Sequence, residues 1–344
     1  PLEFKEGYDL EEIHAFSGEV TKTGFYKLKN DPNVDIIQLD HEFSVELQDS
    51  VPLIRADTLH KKVLINNITG INVSVCVLDT GLNYTHPDLR DNYVGGYDFV
   101  NSDGDPYDDH GHGTHVSGIV AGVAPGIGLV HVKVLDLRGS GSESTIVAGI
   151  NWCITNKDAY RVVALTMSLG GGLFTDYCDS AFPALTAAIN NAADANITVI
   201  ASSGNDGSMT HISAPACIQN AIGVGATDKS DALAGYSNRN NILDLLAPGS
   251  NIRSTSWNGD YEILTGTSMA APHVAGAVAL LQQFAYEEQM SFTMPLIIEN
   301  ILKNKGLLVG NWKRINVLDS AHELDIVNPQ LVVDSPQNTS YLYS

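Results

Sequence analysis

Positive charge is scarce in this chain: 344 residues carry 19 Lys and Arg against 40 Asp and Glu, a formal net charge of −21. That balance repels polynucleotides and anionic lipid and attracts cations, so a nucleic-acid partner is not expected. Long apolar runs are also missing. A stretch such as Val274 to Leu281 falls far short of the roughly 18 apolar residues that a membrane-spanning helix needs, and no such segment is expected. Only 4 Cys are present, too few for a scaffold built on disulfides but enough for one bridge in an exported protein. There is no internal repeat. The chain begins at Pro1 without a charged start leading into an apolar stretch, so any signal peptide has been removed or lies upstream.

What is present is an alternation of two periods. Val73 to Leu78, Leu129 to Val134, Val162 to Met167, Thr198 to Ala201 and Ala221 to Val224 are short, β-branched and almost continuously apolar, the pattern of strands buried on both faces of a parallel sheet. Gly113 to Gly122, Ser144 to Thr155 and Ala181 to Ala195 lie between them and are long enough for crossover helices. The expected fold is α/β, a doubly wound, mostly parallel sheet flanked by helices, with its chemistry at the C-terminal ends of the strands. Residues 1 to 47 read as a separate small α+β unit with a short helix near Leu10 to Phe16. Beyond Asp319 helical periodicity fades, so 48 to 320 is the expected main domain and 321 to 344 a linker or the start of another module.

Four motifs carry chemistry. Asp79 ends an apolar strand in Val-Leu-Asp-Thr-Gly, where Gly81 permits a tight turn and leaves the carboxylate at the sheet edge. His112 stands in Asp-Asp-His-Gly-His-Gly-Thr-His-Val at the start of a small-residue helix. Ser268 stands in Gly-Thr-Ser-Met-Ala-Ala-Pro-His-Val at the start of an apolar helix with an early Pro272, where a missing N–H costs little and developing negative charge is favoured. Asn205 follows a strand in Ala-Ser-Ser-Gly-Asn-Asp-Gly, a position from which a side-chain amide can donate to an oxyanion. Taken singly each has a plain structural reading: a capping acid, a helix N-cap serine, a turn-forming Asn-Asp-Gly. His110, His112 and His115 together also admit a metal reading, although the His-Glu-x-x-His spacing of zinc hydrolases is absent.

In the order Asp, His, Asn, Ser these motifs resemble the subtilisin family, and the resemblance runs from about Ser50 to Asp319. It implies a secreted serine endopeptidase with Ser268 as nucleophile, His112 as general acid-base, Asp79 as its orienter, and Asn205 with the Ser268 N–H as oxyanion hole. By the same resemblance His115 and His273 are structural. Gly139-Ser140-Gly141 and Ser168-Leu169-Gly170-Gly171 correspond to two groove walls that pair with substrate backbone. That mode reads main chain, so broad cleavage of proteins and peptides with apolar P1 residues is expected, with Asp206 the one nearby acid that could favour a basic P1. Asp98, Asn101, Asp103, Asp105 and Asp108 crowd one loop that resembles a family calcium loop, with Asp98, Asp103 and Asp105 the leading structural-calcium ligands. Asp88 corresponds to a second family ligand whose completing loop is missing here. No organic cofactor is expected. Cys178 and Cys217 resemble a bonded pair of secreted subtilases, while Cys76 and Cys153 read as buried apolar thiols. Leu28 to His41 resembles the second half of an inhibitory prosegment, which would be released near Leu47-Gln48 and inhibit in cis. The expected protein is an extracellular or cell-surface monomer. A silent module on the same fold is the competing reading, since a fold does not prove activity.

Overall fold

A computed structural model describes residues 4–10, 15–34, 37, 49–60, 68–287 and 295–327. The chain divides into two compact units, Pro1–Ser44 and Val45–Ser344. The first contains an antiparallel pair, Phe4–Leu10 with Ala15–Val20, and the helix Lys22–Lys29. The helix expected near residues 10 to 16 is thus corrected. Strands flank that position, and the helix starts at Lys22 because Thr21 caps it, its hydroxyl accepting from the Gly24 N–H at 3.1 Å. Leu47 and Gln48 lie outside the described residues.

The second unit is built on a nine-stranded sheet whose order is Leu307–Val309, Trp312–Arg314, Leu245–Pro248, Ile222–Thr227, Thr198–Ser202, Val162–Met167, Ser74–Asp79, Gly128–Lys133 and Tyr93–Asp98. Every neighbouring pair is parallel except the first. Alternation along Ser74–Asp79 sorts the core. Val75 and Val77 join the apolar cluster that includes helices His112–Val123 and Thr267–Glu287, whereas Cys76 and Leu78 join the cluster that includes Glu143–Tyr160 and Pro183–Asp194. Helices therefore cover both faces, the doubly wound α/β arrangement. The order turns at Ser74–Asp79, with the strand of residues 128–133 on one side and that of 162–167 on the other, so Asp79 stands at the switch point where such sheets open a crevice.

Two further expectations are corrected. Cys76 and Cys153 are bonded, because the Glu143–Tyr160 helix packs on the face of the strand that carries Cys76 and brings the two Cα atoms to 6.4 Å. The helix Val317–Val327 runs through the boundary drawn at residue 320; Leu318, Ala321 and Leu324 are buried, a three-residue spacing too short in sequence to stand out. Cys178 and Cys217 are joined as well. Among the described residues no helix is long and apolar enough to cross a membrane.

Candidate active site

Asp79 is the last residue of its strand and is fully buried. The chain leaves it through Gly81 at φ +122°, where a Cβ would lie 2.7 Å from both the Asp108 Cα and the Tyr107 carbonyl, so only glycine passes. The Asp79 Oδ1 accepts from the Thr80 N–H and from His112 Nδ1, both at 2.8 Å. A carboxylate only accepts, so Nδ1 carries the proton and Nε2 is left with its lone pair. Burial works against a charged His112, but the Asp79 charge and hydrogen bond outweigh it and hold the imidazole above the ordinary histidine value.

His112 opens the helix His112–Val123, and the turn before it is organised by Asp108. That buried carboxylate accepts from the N–H groups of His110 (3.0 Å), Gly111 (2.9 Å) and Thr114 (2.9 Å) and from the hydroxyls of Thr80 (3.0 Å) and Thr114 (2.6 Å). Burial alone would raise its carboxyl, but the donors, Gly111 first, hold it below the usual carboxylate range. Asp108 thus anchors a helix N-terminus with its charge. Its expected place in the cation loop is thereby corrected to that of a helix anchor, for which its position four residues before the helix start is the sequence signal.

Ser268 is the second residue of the helix Thr267–Glu287. Its hydroxyl donates to the Ser168 carbonyl at 3.2 Å, and its backbone N–H belongs to the first turn, where helical N–H groups have no intrahelical acceptor. Asn205, exposed in the loop after Thr198–Ser202, is held from the same turn: its Oδ1 accepts from the Thr267 N–H at 2.8 Å and from the Thr267 hydroxyl at 3.0 Å. With the oxygen fixed, the amide NH2 is the group left for a ligand.

The neighbouring histidines do not join them. His115 is buried and faces the carbonyls of Ile252 (3.1 Å) and Glu262 (3.3 Å), and His273 is buried between the Met269 carbonyl and the Ser50 hydroxyl, both at 2.8 Å. Burial pushes each down to about 4. The His110 Nδ1 accepts from the His112 N–H at 3.3 Å, which spends it locally. Among the described residues no three His, Cys, Asp or Glu side chains gather as metal ligands do, so the three-histidine metal reading has no geometry behind it.

A cavity of about 550 Å³ opens beside His112 and is lined by both sequence-expected walls, Gly139, Ser140 and Gly141 on one side and Ser168, Leu169, Gly170 and Gly171 on the other. Leu135, Ile146, Phe182, Leu185 and Ala214 give it an apolar floor. The first wall is shaped by Asp136, whose Oδ1 accepts from the N–H groups of Arg138 (2.9 Å) and Ser140 (3.0 Å) and whose carboxyl these bonds, Ser140 first, lower. Sequence reasoning missed Asp136. The Asp206 Oδ2 accepts from the Asn238 Nδ2 at 2.9 Å, which ties it to the loop after Ile222–Thr227.

The acidic loop behaves differently from its expectation. Asp98 is buried, and its Oδ1 accepts from the N–H groups of Val100 (2.6 Å) and Asn101 (2.8 Å) while its Oδ2 accepts from Asn101 Nδ2 (2.9 Å). Asp103 accepts from the Asp105 N–H at 2.9 Å, and Asp105 from the Tyr84 hydroxyl at 2.7 Å. Asp88 accepts from the Tyr261 hydroxyl at 2.9 Å. Among the described residues Asp98, Asn101, Asp103, Asp105 and Asp88 are not gathered as a calcium ligand set; their own loop engages Asp98 and Asp103, while distant tyrosine hydroxyls engage Asp105 and Asp88.

Comparison with known proteins places this geometry in context. Residues 70–313 match the family model described as the subtilase family. The chain is 38% identical over 285 residues to subtilisin E of Bacillus subtilis (strain 168), covering 78% of this chain and 70% of that protein. It is 39% identical over 317 residues to an alkaline protease of Shouchella clausii, covering 88% of this chain and 77% of the relative. Among solved structures it is similar to a cold adapted subtilisin-like serine proteinase, with a TM-score of 0.64, 32% identity, and coverage of 76% of this chain and 96% of the other.

Proposed function

Because this chain belongs to the subtilase family and is a serine endopeptidase, we propose that it cleaves peptide bonds through Ser268, His112 and Asp79, with Asn205 and the Ser268 N–H receiving the oxyanion. One arrangement, made by two hydrogen bonds, carries the reading. A buried Asp79 orients His112 through Nδ1 at 2.8 Å, and the loop holding Asn205 is tied at 2.8 Å to the turn that presents Ser268.

The steps follow from these atoms. The Ser268 hydroxyl leaves the Ser168 carbonyl and turns to Nε2 of His112, which takes its proton as Oγ attacks the scissile carbonyl carbon. Asp79 stabilises the resulting imidazolium. Negative charge develops on the carbonyl oxygen, where the fixed Asn205 amide and the Ser268 N–H donate to it. His112 returns the proton to the leaving amine, giving an acyl-enzyme. Water, deprotonated by the same nitrogen, hydrolyses that ester and restores Ser268.

The cavity supports a substrate bound as an extended strand between residues 139–141 and 168–171, with apolar side chains favoured by Leu169, Phe182 and Leu185. We assign broad specificity on proteins and peptides. Two disulfides support an oxidising, extracellular destination, where the enzyme acts as a monomer. Residues 1 to 47, within which Pro1–Ser44 forms its own compact unit, are assigned as a self-inhibitory prosegment released near Leu47-Gln48.

A serine-directed fluorophosphonate followed by peptide mapping tests the reading. The expected result is one adduct on Ser268, absent in Ser268→Ala, with a new N-terminus between Phe43 and Ser50 that also requires Ser268. Folded protein lacking its first 47 residues that takes no adduct and leaves casein intact would overturn it in favour of a silent module.

A further inference from the structure

Proline lacks an N–H, so inside a helix it deprives the carbonyl four residues back of its partner. Pro272 lies inside the helix Thr267–Glu287, and the carbonyl it deprives is that of Ser268. The vacancy is filled from just beyond the end of a distant strand: the Ser168 hydroxyl donates to the Ser268 carbonyl at 2.7 Å. In return the Ser268 hydroxyl donates to the Ser168 carbonyl at 3.2 Å. Ser168 is 4% exposed and follows directly on the buried strand Val162–Met167. Two residues 100 apart in sequence are therefore clasped by reciprocal bonds, one through each hydroxyl.

We infer that Ser168 is a positioning residue for the nucleophile, its hydroxyl fixing the first turn that presents both Oγ and N–H of Ser268. The inference rests on the proposed role of Ser268. A wall residue contacts substrate through its main chain alone, and any small side chain would serve there. A hydroxyl bonded to the nucleophile's own carbonyl has a separate task. It ties the rigid end of a core strand to the one helical turn whose internal bond proline has removed. The Ser168 carbonyl meanwhile gives the Ser268 hydroxyl a resting acceptor, which it leaves when it turns to His112. The side-chain bond holds the turn in place while the main-chain bond is exchanged.

Ser168→Ala deletes the first bond and keeps the carbonyl. On a chromogenic peptide, kcat is expected to fall about ten- to a hundredfold, since misplacing a reacting group by about 1 Å costs up to about a hundredfold. KM should stay within about twofold, because the main chain of the wall is unchanged. Pro272→Ala restores an N–H to the helix at the deprived carbonyl, so Ser168→Ala made in the Pro272→Ala background is expected to cost less than about threefold in kcat. This cycle remains readable if Ser168→Ala by itself folds poorly, because the restored helical bond supplies what was lost. Equal kcat losses in the two backgrounds, a wild-type kcat in Ser168→Ala, or a change confined to KM would each overturn the inference. Fluorophosphonate labelling separates the two levels: absence of label on Ser268 in the wild type removes the reading of Ser268 itself, whereas normal wild-type labelling with no loss in Ser168→Ala removes the clasp alone.

Discussion

Asn205 offers the sharpest separation between transition-state stabilisation and scaffolding. Its oxygen is committed to the Thr267 N–H at 2.8 Å and the Thr267 hydroxyl at 3.0 Å, which leaves its NH2 to donate to the oxyanion in the proposed mechanism. Asn205→Ala removes both ends. Losing one preorganised oxyanion donor costs about 3 kcal/mol, which at about 1.36 kcal/mol per tenfold is roughly 150-fold in kcat. KM should hardly move, because the donor is aimed at a charge that exists only after attack. The same substitution leaves the Thr267 N–H without its acceptor, costing about 1–2 kcal/mol of stability, or roughly 3 °C in Tm per kcal/mol for a domain of this size. Asn205→Asp separates these effects. It keeps an oxygen for Thr267 and so keeps Tm, but puts a carboxylate where the oxyanion forms, so kcat should fall below that of the alanine variant. Steady-state kinetics on a chromogenic peptide with calorimetry alongside decides it. A kcat within about threefold of wild type in Asn205→Asp, or a kcat loss that tracks Tm across the two variants, would refute the reasoning.

The remaining expectations are shorter. In the proposed role His112 acts as a base only when neutral, and Asp79 holds its pKa above the ordinary 6.5 against the opposing effect of burial, so kcat/KM should rise with pH through a midpoint above 6.5; Asp79→Asn should move that midpoint down and lower kcat by about 10⁴. The sign for stability runs opposite: the raised pKa makes the Asp79–His112 pair stabilising below the unfolded-state value, and that contribution is lost as pH rises through the folded one. Urea titrations of wild type and His112→Ala across this range should show the gap closing as pH rises. Replacing Cys178 and Cys217 with alanine reopens a loop spanning 39 residues and should lower the unfolding free energy by about 2–4 kcal/mol, read from urea midpoints. Gly81→Ala would force a Cβ to within 2.7 Å of backbone on residues 107 and 108, and should reduce soluble yield and kcat together.

The five central strands of the sheet were legible because they are buried on both faces, whereas Tyr93–Asp98, Leu245–Pro248, Leu307–Val309 and Trp312–Arg314 were not read, three of them being partly exposed. Val162–Met167 and Ser74–Asp79 are buried at every position, so their sequences carry no alternation to misread, and the helices between them are long. Small elements were less legible. The Phe4–Leu10 and Ala15–Val20 pair and the helix Lys22–Lys29 depend on a turn and a single Thr21 cap, signals of one residue each. Cys76 and Cys153 illustrate another limit: whether two buried cysteines bond is decided by a 6.4 Å Cα separation between a strand and a helix, which no spacing of 77 residues encodes.

The acids show why chemistry can be read while roles cannot. Asp79, Asp98, Asp108 and Asp136 all stand at or just after strand ends or before a helix, and in sequence they differ little. What distinguishes them is which donors reach them. The Asp108 oxygens are taken up by donors from residues 80, 110, 111 and 114, which makes it an anchor. Those of Asp98 and Asp136 are engaged by their own loops. Of the four, Asp79 alone directs an oxygen at a histidine, His112, whose second nitrogen is the proposed base. The hydroxyls follow the same logic: Ser168 and Ser268 look alike as residues at the ends of buried elements, and only the missing N–H of Pro272 explains why one must bond to the other. On the proposed reading, function at this sheet edge is set by the polar groups that the fold directs at one another across distant segments rather than into their own loops.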